Sequence, residues 1–88
     1  MALVEKVNLR VKVFSYLKDI VGKSEITIEV KDVVRVRDLI EILRSKWPRI
    51  SEIEDQILIV LKNGVPAKLD DVVTDKDDIA ILPPVSGG

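Results

Sequence analysis

Val36-Arg37-Asp38-Leu39-Ile40-Glu41-Ile42-Leu43-Arg44-Ser45-Lys46-Trp47-Pro48 is the stretch on which the fold turns. Val36, Leu39, Ile40, Leu43 and Trp47 recur at spacings of three and four, which draws one apolar stripe along a helix. Arg37, Asp38, Glu41, Arg44 and Ser45 supply the wet side, and the pairs Arg37/Glu41 and Glu41/Ser45 are four apart and can meet on the surface. Pro48 stops the helix, because a proline drives the residue before it out of helical dihedrals. Its start is less well marked. Arg35 stands at the cap position, where Ser, Thr or Asp is favoured, and Asp38 in the first turn compensates through the helix dipole.

The flanks have period two instead. Val7-Asn8-Leu9-Arg10-Val11-Lys12-Val13 and Ile26-Thr27-Ile28-Glu29-Val30 alternate apolar with polar, as strands with one buried face do. The link Ser15–Val21, closed by Gly22, is longer than a tight hairpin and has room for one irregular helical turn between antiparallel neighbours. Beyond the helix, Ile57-Leu58-Ile59-Val60-Leu61 is apolar on both faces and reads as a covered strand. Asn63-Gly64 suits a tight hairpin turn, and Val65 returns as a short strand that Pro66 confines to an edge. Asp70–Asp78 is a turn-rich crossing before a last strand, Ile79-Ala80-Ile81-Leu82. Strand, strand, helix, strands, with the helix across one sheet face, is an α+β roll of the β-grasp, or ubiquitin-like, type, with a mixed sheet of four to five strands. The expected organisation is a domain over residues 1–82 and a flexible, extended tail over 83–88.

Composition removes most chemistry. The chain has 88 residues, no Cys and no His, so thiolate nucleophiles, imidazole bases, disulfides and the usual zinc sites are excluded and no metal is expected. Three aromatics and a net charge of −1 argue against a nucleic-acid partner. Residues 1–50 hold 11 basic and 7 acidic side chains, whereas residues 51–88 hold 3 and 8. The acids at Asp70-Asp71 and Asp77-Asp78 read as turn acids, since adjacent side chains on extended backbone point apart and nothing apolar surrounds them. An acidic patch that steers a basic partner is the lesser reading. Met1–Lys6 does not resemble a secretory signal, and the longest apolar run, Ile57–Leu61, is far short of a membrane span, so a cytoplasmic, membrane-free protein is expected.

The ending is distinctive. In Pro83-Pro84-Val85-Ser86-Gly87-Gly88, two prolines favour extended backbone, and two glycines lack every Cβ, so the backbone can enter a narrow slot. Six extended residues reach at most about 20 Å. The reactive group is then the α-carboxylate of Gly88, with Gly87 beside it. Pro83, Pro84, Val85 and Ser86 are expected to lie against a partner. Of the alternating set at 57–61, one half must face away from the helix, and an uncovered apolar face marks a docking surface. Leu58 and Val60 are taken as that outer pair.

Val13-Phe14-Ser15-Tyr16-Leu17-Lys18-Asp19-Ile20-Val21-Gly22, Val36-Arg37-Asp38-Leu39, Trp47-Pro48, Asn63-Gly64 and the whole ending from Ile79 to Gly88 resemble the molybdopterin synthase small subunit, the sulfur carrier of the ubiquitin-like group. The resemblance covers nearly the whole chain, with Arg35 where a Thr cap is usual and Lys76 where a Gly is usual. It implies a carrier and not an enzyme in its own right. An adenylyltransferase similar to ubiquitin-activating enzymes, using ATP and magnesium, would adenylate Gly88. A sulfur-delivering protein would convert it to a thiocarboxylate. The large synthase subunit would receive the tail, and the sulfur would pass to a pyranopterin precursor in molybdenum cofactor synthesis; no cofactor would be bound by the carrier itself. The same terminus also suits a ubiquitin-like protein modifier or a tRNA-thiolation carrier. Thiamine-pathway carriers are usually shorter and lack the Pro-Pro-Val-Ser lead.

Overall fold

The computed structural model describes residues 6–31, 34–52 and 58–83. Its elements in chain order are β1 (Lys6–Val13), α1 (Tyr16–Val21), β2 (Glu25–Lys31), β3 (Val34–Arg35), α2 (Val36–Lys46), a 3₁₀ turn (Pro48–Glu52), β4 (Ile59–Lys62), β5 (Val65–Pro66), β6 (Val72–Val73) and β7 (Ile79–Leu82). One sheet of five strands runs β2-β1-β7-β4-β5, and β3 and β6 pair in a small sheet of their own. β1 and β7 are parallel neighbours, while β1/β2, β4/β7 and β4/β5 are antiparallel, so the sheet is mixed as expected.

Alternation sets which side is packed. Leu9, Val11 and Val13 of β1, Ile26, Ile28 and Val30 of β2, and Ile79 and Ile81 of β7 are buried together with Val36, Leu39, Ile40 and Leu43 of α2. This is one core between the sheet and the helix, as the two periods require. Each fully buried Leu, Ile or Val contributes on the order of 1.5–3 kcal/mol through the water it leaves. Trp47, at the end of α2, is half-buried against that core.

One sequence expectation is corrected here. Leu58 and Val60 are buried, at 8% and 4% exposure, and belong to the core. The outward residues of β4 are Ile59 and Leu61. The phase was obscured because Lys62 shares the parity of Leu58 and Val60 and so suggests that this set is wet. In the structure Lys62 is half-buried on the inner side, and its Nζ donates to the Val72 carbonyl at 2.8 Å.

The helix start is also built differently from expectation. The Arg35 N–H donates to Asp38 Oδ2 at 3.0 Å, which is the acidic half of a capping box. The Val36 and Arg37 amides donate to the Asp71 and Leu69 carbonyls at 2.9 and 3.0 Å. The free N–H groups of the first turn are thus met by the 68–71 segment rather than by a side-chain hydroxyl. Arg35 Nη1 donates to the Asp70 carbonyl at 2.9 Å, and Arg37 pairs with the Asp70 carboxylate. An arginine at the cap position is thereby explained: it fastens the crossing segment to the helix.

Candidate functional site: the outer sheet face beside the last strand

The outer face of the sheet is divided. Over β1 and β2 it carries Asn8, Arg10, Lys12, Glu25, Thr27, Glu29 and Lys31, all exposed, with Lys6 Nζ 3.5 Å from Glu29. Over β7 and β4 it carries Ala80, Leu82, Ile59 and Leu61. Register brings these together, since Ile59 faces Leu82, and Leu61 faces both Ala80 and Pro66. Phe14 extends the patch. Its N–H donates to the Ile81 carbonyl at 3.2 Å, and the β1/β7 register carried one residue further sets it opposite Leu82. Phe14 is 45% exposed and Ile59 37%.

A strained turn holds Phe14 there. Ser15 has φ 57° and ψ −140°, a region that residues with a Cβ rarely adopt, and α1 begins at the next residue. Gly22 closes α1 in the left-handed region at φ 82°, where its missing Cβ is needed. Between these, a cavity of about 250 Å³ opens, lined by Lys12, Phe14, Ser15, Lys18, Ser24 and Glu25.

Strand β7 delivers the chain to this patch. Pro83, the first residue of the expected tail, is buried at the end of the strand. Pro84, Val85, Ser86, Gly87 and Gly88 lie outside the described residues. The tail therefore starts beside Phe14, Ile59 and Leu82.

The turn acids are occupied in structure. Asp77 accepts from Asn63 Nδ2 at 3.0 Å, from the Thr74 N–H at 2.7 Å and from the Thr74 hydroxyl at 3.2 Å. Burial pushes its carboxyl up, but these bonds and the charge of Lys62 outweigh that and hold it below the ordinary aspartate value. Asn63 accepts in return from the Asp78 N–H at 2.8 Å. Asp71 receives the Lys68 N–H at 2.9 Å. A cleft of about 360 Å³ beside this turn is lined by Arg10, Lys12 and Lys76 together with Glu25, Asp75, Asp77 and Asp78, so neither sign dominates it. Among the described residues no group of three or more potential metal ligands gathers. No helix among them is long and apolar enough to cross a membrane.

A family model described as the ThiS family matches residues 11–88. The chain belongs to the ThiS family. Among curated ThiS relatives, the molybdopterin synthase sulfur carrier subunit of Dictyostelium discoideum is 33% identical over 83 residues, covering 92% of this chain and 96% of that one. Small archaeal modifier protein 1 of Haloferax volcanii is 31% identical, covering 88% and 97%. The solution structure of small archaeal modifier protein 1 from Methanosarcina acetivorans superimposes with a TM-score of 0.74 at 28% identity, covering 96% and 99%. These neighbours bear out the ubiquitin-like β-grasp fold expected of the sequence. The ThiS relatives with sulfur-carrier names are subunits, in keeping with a protein that is not an enzyme on its own.

The residues that alternation missed are Ile59, Leu61 and Leu82. In β4 both parities are apolar, so pattern alone holds no phase. The pairing with β7, whose outward member Leu82 faces Ile59, settles it.

Proposed function

We propose that this chain is the sulfur carrier subunit of a molybdopterin synthase, with Gly88 as the acyl group that carries sulfur. The observation that supports this most is the placement of an apolar half-face, Phe14, Ile59, Leu61 and Leu82, partly exposed among the described residues, beside the last strand, which ends at Leu82 just before Pro83. A docked large subunit would cover the patch and receive the tail in one step, with Pro84, Val85 and Ser86 lining its entry and Gly87 leaving the slot free of a side chain.

The chemistry divides between partners. A carboxylate is a poor electrophile. An adenylyltransferase with ATP and magnesium joins the Gly88 carboxylate to AMP and releases pyrophosphate. Hydrosulfide supplied by a sulfur-delivering protein then attacks the acyl carbon and expels AMP, leaving a thiocarboxylate. Its sulfur displaces an oxygen leaving group at a carbon of the pyranopterin precursor, and water then attacks the Gly88 acyl carbon of the resulting thioester, which frees the precursor thiolate and restores the carboxylate. The carrier supplies position and the acyl carbon to which sulfur is joined, and its own side chains move no proton.

The second reading, a protein modifier joined through Gly88 to lysines, is favoured by the likeness to small archaeal modifier protein 1. A reconstituted system with adenylyltransferase, sulfur donor and large subunit tests the proposal. Gly87→Ala and deletion of Gly88 should each lower sulfur transfer on the order of 100-fold while the fold stays intact, since a misplacement of about 1 Å at a positioned centre costs that much. Parent-like transfer by both variants would overturn it. Conjugates to lysine in place of transfer would support the modifier.

A further inference from the structure

Strand β2 is the outer strand of the five-stranded sheet and, among the described residues, pairs only with β1. The phase of its free edge follows from one bond. The Val13 N–H donates to the Ser24 carbonyl at 3.0 Å, so the backbone groups of Ser24, Ile26, Ile28 and Val30 face β1. Those of Glu25, Thr27, Glu29 and Lys31 face outward, because the two directions alternate along an antiparallel strand. The same four residues are exposed on the outer face of the sheet. A groove of about 420 Å³, lined by Lys23, Glu25, Ile26, Thr27, Lys46 and Trp47, leaves the Glu25 end of this edge open to an approaching strand.

Charges commonly protect an edge from pairing, and here their signs are arranged to favour one pairing. We propose that two copies of this chain associate antiparallel through β2, about a two-fold axis beside Ile28, joining two five-stranded sheets into one continuous sheet. In that register Glu25 lies opposite Lys31 of the second copy, and Thr27 opposite Glu29. All four are residues whose N–H and C=O groups face out, so every rung can form. Ile28 falls opposite Ile28 and Ile26 opposite Val30 on the inner side, where each is already buried in its own core, so the backbone rungs and the outer charges carry the pairing. A slip of two residues either way sets Glu25 against Glu29, or Glu29 against Glu29, and a slip of one reverses the faces. Charge complementarity thus favours this register over its neighbours, and the more distant slip that sets Glu29 against Lys31 keeps only half of the rungs.

A seven-residue edge buries less than a standard interface, which makes this a transient dimer that forms as concentration rises. The patch around Phe14 and Leu82 lies beyond the edge, toward β7 and β4, and stays open in both copies. The association is independent of the sulfur-carrier reading.

Sedimentation from micromolar to millimolar full-length protein tests it, with amide exchange read in parallel. The mass average should climb toward twice the monomer, and the Thr27 and Glu29 amides should become protected over the same range. Glu25→Lys and Lys31→Glu should each weaken association about tenfold. The combined swap should recover it to within about threefold, because the opposite charges face again across the axis. Thermal melting in the dilute range, where all variants are monomers, separates loss of fold from loss of pairing. A parent that stays monomeric, a dimer indifferent to either reversal, a swap that fails to restore it, or Thr27 and Glu29 amides that remain unprotected would each overturn the proposal.

Discussion

The Phe14 N–H donates to the Ile81 carbonyl at 3.2 Å, so the parallel pairing of β1 with β7 runs one residue beyond Val13. Phe14 is thereby fixed beside the last strand, β7. On the proposed reading, docking and delivery of the terminus would share this frame, and substitutions can separate surface from core.

Ile59→Asp and Val60→Asp make that separation. Ile59 is 37% exposed and Val60 only 4%, although the two are adjacent. Val60→Asp should cost several kcal/mol or prevent folding, because a carboxylate would sit unpaired in the core. Ile59→Asp should leave the urea midpoint within about 0.5 kcal/mol of the parent. In titrations with the large subunit it should weaken binding on the order of 30-fold or more, the loss expected of an interface anchor.

Ser15→Gly should stabilise the fold by about 1 kcal/mol, since Ser15 sits at φ 57° and ψ −140° and glycine relieves that strain. Gly22→Ala should destabilise by about 1 kcal/mol. Apart from its chain neighbours, no atom lies within 4 Å of the added methyl, so the cost comes from the backbone at φ 82°. Urea unfolding of the two variants reads both signs.

Much of the fold was legible because its signals are local. Period two over residues 7–13, period 3.6 over 36–47, Asn63-Gly64 and Pro66 each dictate an element without reference to distant chain. What escaped is held together at long range. The pair β3/β6 has two residues on each side and depends on Val34 meeting Val73 across the chain. The helix cap comes from Leu69 and Asp71, which no rule of neighbouring residues identifies. An apolar outer half-face was legible in kind but not in phase, because both parities of β4 are apolar and Lys62 shares the parity of the inner set. For the tail, Pro-Pro and Gly-Gly state their backbone demands in the sequence itself.

Stability should fall in acid partly through Asp77. Its folded pKa is held below the ordinary aspartate value, so its contribution is fully present above the unfolded pKa, about 3.9. It is lost as pH falls through the lower folded value. Asp77→Ala should lower stability by about 1 kcal/mol at neutral pH, with the loss of the bonds from Asn63 and Thr74. The difference between variant and parent should narrow below about pH 4. Urea midpoints taken from neutral pH downward check both the size and the sign.

The most direct test of the carrier is the intact mass of this protein isolated from cells that are making molybdenum cofactor. A fraction of molecules should be heavier by the exchange of one oxygen for sulfur, with the added mass localised to the C-terminal peptide that ends in Gly88. Deletion of Gly88 should abolish that fraction. Only the plain carboxylate in such cells, under conditions that preserve thiocarboxylates, would contradict the account.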